Sequence, residues 1–491
     1  KTTTEMLEEF SYLGAETAKR VVVDVPNEIA DRCEQIKPFP DGTHAPTIEN
    51  ASEILQEMAQ KRAHELYGDP LPPVVQARLD RELKSIIGNG FASLYLMAQR
   101  LVHKSNSDGY LVGSRGSVGS SFVATMAGIT EVNSLQPHYV CPNCKHSDFE
   151  VDRVKYACGI DMPQKDCPVC GTPYLKMGFD IPFEVFLGFD GDKTPDIDLN
   201  FSGEYQGTAH KYVEEMFGRG HAFRAGTISG VAVRTAFEYV RIYEEKNGRT
   251  LRKAERERIA NGCQDVKVTT GQHPGGIVIV PKEDDILDYT PIQYPADKRD
   301  KAIITTHFDF HAMDDRLVKL DILGHDDPTA LRMLQDLTGL DPVTIPLDDP
   351  ETMRIYTSSE PLKVDLSALR CSVGTLGTPE FGTSFVRGVL EATMPTTMEE
   401  LVRISGLTHG TDVWLGNAET LVANKTATLS EVICTRDDIM NYLILRGVDA
   451  SSSFKIMESV RKGKGLKPDM EQKLLDNDIP AWYIDSCKKI K

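Results

Sequence analysis

An acidic pair and two cysteine pairs are the residues whose types and spacing could do chemistry. Pro195-Asp196-Ile197-Asp198-Leu199-Asn200 reads as a strand. Side chains at i and i+2 share a face of a strand, so Asp196 and Asp198 present two carboxylates side by side. Carboxylates that close repel unless a cation lies between them, and hard divalent ions take oxygen ligands in that arrangement. A bare Asp-x-Asp is more often a solvated strand edge. Val318-Lys319-Leu320-Asp321-Ile322-Leu323 offers a second strand, with Lys319 and Asp321 on one face and apolar residues on the other. Asp321 is either a third carboxylate for a two-metal clamp or a strand-end acid paired with Lys319. The residues alone leave both open.

Cys141-Pro142-Asn143-Cys144 and Cys167-Pro168-Val169-Cys170 form two Cys-x-x-Cys knuckles. Four thiolates held in pairs suit tetrahedral Zn2+, and with no open position the site is expected to be structural. Cys158 would be a fifth ligand and is left out. The spacer between the knuckles is long for a zinc ribbon, so an excursion is expected there.

A third constellation is Gly113-Ser114-Arg115-Gly116-Ser117-Val118-Gly119-Ser120-Ser121, expected between a short strand (Gly109 to Val112) and a small-residue helix (Ser121 to Ile129). Unpaired backbone N–H groups at a helix start bind phosphate, and Arg115 and the serines add charge and donors. It is not a Walker loop, because no Gly-Lys-Ser/Thr follows; a flexible turn is the other reading. His273-Pro274-Gly275-Gly276, leading into a strand, reads as a tight turn first and a ligand contact second. Ser459 to Lys467 concentrates Lys and Arg, either as a solvated helix end or as a clamp for polyphosphate or nucleic acid.

The elements that must position these residues follow from pattern. Helices are expected at Ala51 to Leu66 and Val74 to Ile87, a charge-rich helical stretch from Glu204 to Val268, and helices again after Pro328. Strands are expected at Gly276 to Val280, Ala302 to Phe310 and Leu317 to Leu323. A sheet domain interrupted by helical insertions, then a helical domain, is the coarse picture.

The chain has 491 residues, 40% hydrophobic and 26% charged, with formal net charge −18. At about 150 residues per domain that length predicts roughly three domains, and the balance excludes disordered and collagen-like classes. The acidic balance argues against a wholly basic nucleic-acid-binding surface but permits a local basic channel. Apolar runs fall far short of the ~18 residues that span a bilayer, so no membrane segment is expected. Ten cysteines without a disulfide framework suit a reducing cytoplasm. The start, Lys1-Thr2-Thr3-Thr4, has neither signal segment nor initiator Met and reads as the interior of a longer chain.

Taken together, the Gly/Ser loop, the knuckles, Pro195-Asp196-Ile197-Asp198, Gly271 to Gly276 and Lys319-Leu320-Asp321 resemble the C-family bacterial replicative DNA polymerases. The knuckles and Phe201-Ser202-Gly203-Glu204-Tyr205 resemble the PolC type, the DNA polymerase III alpha chain of Gram-positive bacteria. The resemblance runs along essentially the whole chain.

It implies an α+β fold: a polymerase-beta-like nucleotidyltransferase palm with an inserted zinc-knuckle element and a helical thumb, followed by mostly helical fingers. The implied divisions are a helical remnant of a preceding domain (1–70), a first palm segment (71–204, zinc insertion 139–175), thumb (205–270), a second palm segment (271–330) and incomplete fingers (331–491). Asp196, Asp198 and Asp321 match the family's catalytic metal triad. Asp196 and Asp198 would bridge two Mg2+ ions, and Asp321 would hold the one nearer the primer. Lys319 matches a basic neighbour of the third Asp. Gly113, Ser114, Arg115, Ser117 and Ser120 fall in the triphosphate loop, and Arg461 and Lys462 match a basic pair meeting the incoming nucleotide. One Zn2+ would sit on Cys141, Cys144, Cys167 and Cys170.

The implied partners are primer-template DNA and dNTPs, with the sliding clamp and other replisome subunits met through regions absent from this chain. The implied setting is chromosomal replication in the nucleoid. A template-independent nucleotidyltransferase on the same palm, and a non-catalytic zinc-ribbon module that binds nucleic acid, are the alternatives.

Overall fold

A computed structural model describes residues 1–490 except 35, 36, 38, 154, 189–194, 298 and 300–302. Helices surround a central sheet in a mixed α/β architecture. The strands are β1 (Gly113–Arg115), β2 (His138–Val140), β3 (Ser147–Asp148), β4 (Leu175–Met177), β5 (Asp198–Ser202), β6 (Ala222–Gly230), β7 (Lys267–Ile279), β8 (Ile292–Gln293), β9 (Thr305–Asp309) and β10 (Val318–His325). The central sheet runs β1-β5-β10-β7-β6-β9-β8, and β3-β2-β4 form a small second sheet around the knuckles. β5 and β10 pair parallel, so a long crossover separates them.

The alternation of the strands decides which face is buried. Leu199 and Phe201 of β5, Ile277 and Ile279 of β7, and Val318, Leu320 and Ile322 of β10 turn into one core. Helices Ala51–Tyr67, Pro73–Gly88, Ala92–Ser107 and Gln206–Phe217 cover it, because their apolar residues recur every three or four positions. Leu55, Ala59, Ala63 and Tyr67 are one such stripe. Each fully buried Leu, Ile or Phe contributes about 1.5–3 kcal/mol over its exposed form. By the same period of two, Asp198, Lys319 and Asp321 lie on the opposite face.

Two further cores lie in the helical C-terminal part, one around Val389, Ile404 and Trp414 and one around Leu443, Met457 and Tyr483. A helical hairpin, Val233–Asn247 and Lys253–Cys263, joins β6 to β7 and carries its own small core of Val231, Ala236, Val240 and Ala260. No helix among the described residues is long and apolar enough to cross a membrane.

Several elements differ from the sequence expectations. The strand expected at Gly109 to Val112 begins at Gly113, because pairing with Leu199 and Asn200 sets the register. Gly113, Ser114 and Arg115 are therefore strand, not loop. The stretch expected to be helical from Glu204 to Val268 contains β6, whose Ala222, Phe223 and Arg224 pair with β7; sheet pairing overrides the local charge-rich composition.

The expected turn at His273 to Gly276 lies inside β7. Between the pairings Gly226↔Gln272 and Arg224↔Ile277 the register slips, so these residues bulge from the ladder. The helix Ala51–Tyr67, expected in a remnant of a preceding domain, packs into the main core. Of the strand expected from Ala302 to Phe310, Ala302 lies outside the described residues and β9 supplies the rest.

Candidate active site

The sheet registers assemble the acidic cluster. Asp321 of β10 lies opposite Asp198 of β5, Asp198 opposite Arg115 of β1, and Asp321 opposite Gly276 of β7. Asp196 precedes β5 by two residues and shares its face. One carboxylate oxygen from each of Asp196, Asp198 and Asp321 lies within 4.8 Å of the others. The Asp198 carboxyl is lifted to about 6, first by burial, then by Asp196 and Asp321; Lys319 and Arg115 oppose the shift.

Asp321 is the deepest of the three, 9% exposed. Its Oδ2 accepts an ion pair from Lys319 Nζ at 2.8 Å. Its Oδ1 is buried without a hydrogen-bond partner. His273 Nδ1 comes within 3.7 Å of that oxygen, yet it already accepts the Gly276 N–H at 2.7 Å, so it has no proton to give. Burial depresses the His273 pKa, which favours the neutral ring. Clustered carboxylates and an orphaned buried oxygen are the chemistry a hard divalent cation completes. Asp196, Asp198 and Asp321 fit Mg2+.

The Gly/Ser segment leads from β1 into this row. Gly116 adopts φ +70°, and a Cβ there would sit 3.7 Å from Asp198 Oδ2. Gly113, Arg115 and Gly116 are exposed. Ser114 Oγ shares a 2.7 Å hydrogen bond with Thr130 Oγ1, and the buried Ser120 hydroxyl donates to the Ser117 carbonyl.

The following helix, Phe122–Met126, does not offer the open N-terminus the sequence suggested. Buried Glu82 accepts the N–H groups of Phe122 and Val123 at 3.0 Å each and the Ser121 hydroxyl at 2.9 Å. Arg78 pairs with Glu82 and donates to the Ser120 carbonyl at 2.7 Å. An internal carboxylate thus occupies the position an anion would take. Arg115 and Gly116 remain exposed beside Asp198.

The sequence pattern does not single out Arg78 or Glu82. For Glu82 a signal existed: it lies on the same helix face as Val75, Leu79 and Ile86, a charge in an apolar stripe.

The four knuckle cysteines converge, with all Sγ atoms within 4.8 Å. Cys141 and Cys170 Sγ are 3.4 Å apart, Cys144 and Cys167 Sγ 3.5 Å. Thiolates bonded at ~2.3 Å to a tetrahedral zinc would be ~3.8 Å apart, so the cage fits Zn2+. Cys158 is buried outside this group. Arg461 and Lys462 end the helix Ala450–Arg461, and both pair with Glu458, Arg461 through two 2.8 Å hydrogen bonds. The structure joins neither to the carboxylates by an ion pair.

The bacterial DNA polymerase III alpha NTPase domain matches residues 53–250 and 241–324. The bacterial DNA polymerase III alpha subunit finger domain matches residues 327–478. The chain is similar over its whole length to DNA polymerase III PolC-type of Caldanaerobacter subterraneus subsp. tengcongensis, with 60% identity over 491 residues and 35% of that relative covered. The same-named proteins of Listeria monocytogenes and Bacillus subtilis are 59% and 58% identical over 491 residues, each with 34% of the relative covered. The chain therefore spans about a third of the length of these curated relatives.

Proposed function

The chain belongs to the bacterial DNA polymerase III alpha family, and on that premise we propose that it carries the nucleotidyl-transfer core of a replicative, template-directed DNA polymerase. The observation that carries the proposal is the acidic row, in which Asp321 Oδ1 is buried and unpartnered beside Asp198 and Asp196. In the reaction, a primer 3′-oxygen bonds to the α-phosphorus of a dNTP, its proton departs, and the bond to the β-phosphate side breaks to release pyrophosphate.

Mg2+ held by Asp196, Asp198 and Asp321, two ions in this reading, would lower the pKa of the attacking hydroxyl and offset charge on the leaving group. Lys319 holds Oδ2 of Asp321 and would leave Oδ1 open to a cation. Arg115, with Gly113, Ser114, Ser117 and Ser120 shaping its segment, would neutralise the triphosphate as charge builds.

On this reading the central sheet is the palm and the hairpin Val233–Cys263 the thumb. The helices after Pro328 are the start of the fingers, and Zn2+ on the four cysteines braces the palm. Arg461 and Lys462 would meet nucleotide only by giving up Glu458. Primer-template DNA and dNTPs are the partners of this core. The sliding clamp and other replisome subunits would be reached through other regions of a longer protein working at the nucleoid.

Primer extension by the full-length parent protein tests the proposal. Template-directed incorporation that disappears in Asp198→Ala, with primer-template binding retained, supports it. Incorporation that survives Asp198→Ala overturns the catalytic assignment. Incorporation that ignores template sequence would instead mark a template-independent nucleotidyltransferase.

A further inference from the structure

The excursion between the two knuckles reaches out of its own sheet and caps a helix of the C-terminal region. Asp161 ends the turn Gly159–Asp161, and its Oδ1 accepts the Met398 N–H at 2.7 Å while its Oδ2 accepts the Glu399 N–H at 2.9 Å. These are the first two amides of the helix Met398–His409, whose next donor, Glu400 N–H, goes to Thr397 Oγ1. A helix start needs such partners, and here two of them come from a residue more than two hundred positions away in sequence.

The turn that holds Asp161 is itself fixed by the cysteine element. Gly159 N–H donates to the Gly178 carbonyl at 2.7 Å, and Tyr139 donates its hydroxyl proton to the Pro163 carbonyl at 2.8 Å. Gly159 lies so close to β4 that a Cβ there would be 2.1 Å from the Met177 carbonyl oxygen. Met162, the next residue after Asp161, is buried with Cys141, Cys167, Tyr139 and Tyr174. Beside it, Lys176 of β4 donates to the Met162 carbonyl at 2.9 Å and pairs with Asp348 at 2.5 Å.

The small core around the cysteines and the core under the helix Met398–His409 are separate. Cavities of about 640 and 340 Å³ flank the contact, the first between Arg153, Cys158 and Asp180 on one side and Arg403, Asp438 and Tyr442 on the other. Between these spaces the Asp161 cap ties this helix to the cysteine element, and the Lys176–Asp348 pair ties to it the segment that leads into the helix Pro350–Met353, while Val185 of the helix Glu184–Leu187 is buried separately in the core around Leu443 and Tyr483.

We infer that the zinc-knuckle element is a strut that seats the C-terminal helical region on the sheet, and that Asp161 is the positioning residue through which it acts. The inference rests on the polymerase reading for its kinetic consequence: the strut sets where the fingers stand relative to the acidic row, and so the binding of dNTP. The metal's role is to hold the knuckles and, through them, the turn.

The test uses the full-length parent protein, as wild type, Asp161→Ala and Asp161→Asn, each measured with bound zinc and after chelation. Asp161→Ala is expected to keep its zinc, to speed hydrogen exchange at the Met398 and Glu399 amides at least tenfold, and to raise the dNTP KM roughly tenfold with kcat within twofold. Asp161→Asn, which keeps one carbonyl acceptor, is expected to recover some of both. Chelation of the wild type should reproduce the exchange and KM changes, and chelation of Asp161→Ala should add less than twofold.

Protected amides and an unchanged KM in Asp161→Ala would overturn the inference. So would chelation effects of equal size in wild type and variant. If the wild type incorporates no nucleotide, the polymerase reading fails, while the exchange measurements still decide whether the strut exists.

Discussion

Asp321 stands directly opposite Asp198 in the parallel ladder between β10 and β5, with Arg115 and Gly276 completing the row on either side. Four strands thus contribute one residue each to a single line across the sheet. Position along that line is set by backbone pairing, so each side chain can be removed without moving its neighbours.

Asp321→Asn should therefore leave the fold and primer-template affinity nearly unchanged while lowering incorporation by ~10²–10³-fold, the scale of losing one electrostatic partner of a developing charge. Single-turnover extension beside a filter or anisotropy binding assay separates the two effects.

Stability of the metal-free protein should depend on pH through Asp198. Its folded pKa of about 6 exceeds the ordinary value of 3.8. The folded state therefore holds that proton more tightly, and the contribution is full below the unfolded pKa and lost as pH rises through 6. In EDTA, Asp198→Asn should raise Tm at pH 7.5 and change it much less at pH 4.5. Equal shifts at both pH values would mean that ionisation of the half-buried Asp198 is not the cause.

Gly276→Ala places a Cβ 2.8 Å from His273 Nδ1 and 3.1 Å from Lys319 Cδ. The histidine would have to leave its Gly276 N–H, and Lys319 would be pushed along Asp321. Incorporation should fall by ~10²-fold, as expected for misplacement near 1 Å, with little change in Tm. A wild-type rate in this variant would show that the His273 bulge does not position the row.

Glu82→Ala strands Arg78 and frees the buried N–H groups of Phe122 and Val123. A loss of about 3–5 kcal/mol is expected in denaturant unfolding, with a smaller loss for Glu82→Gln, which keeps an acceptor. Phosphate added to Glu82→Ala should restore some of the lost stability if the vacated N-terminus then takes an anion.

Some of this was legible in the sequence and some was not, for reasons that differ by residue. Asp196, Asp198 and Asp321 could be placed on strand faces because a period of two needs only local spacing, and their convergence follows from the β5–β10 ladder. The cysteine cage was readable because two knuckles carry their own geometry. β6 was hidden because its strand character comes from pairing with β7, not from its own alternation. The bulge at His273 was read as a turn because Pro274-Gly275-Gly276 has turn composition, whereas the surrounding ladder keeps the chain extended. The Glu82 plug joins residues about forty positions apart, and only the oddity of an acid in an apolar stripe hinted at it.

The parallel ladder has an evolutionary consequence as well. Its register depends on β5 and β10 meeting, not on the length of what separates them, and closing a flexible loop costs only about 0.6 kcal/mol more for each doubling of its length. The hairpin between Val233 and Cys263 keeps its own small core, and its first helix ends at Gly248. A change in the length of that hairpin would thus leave the two acids with the same ladder neighbours.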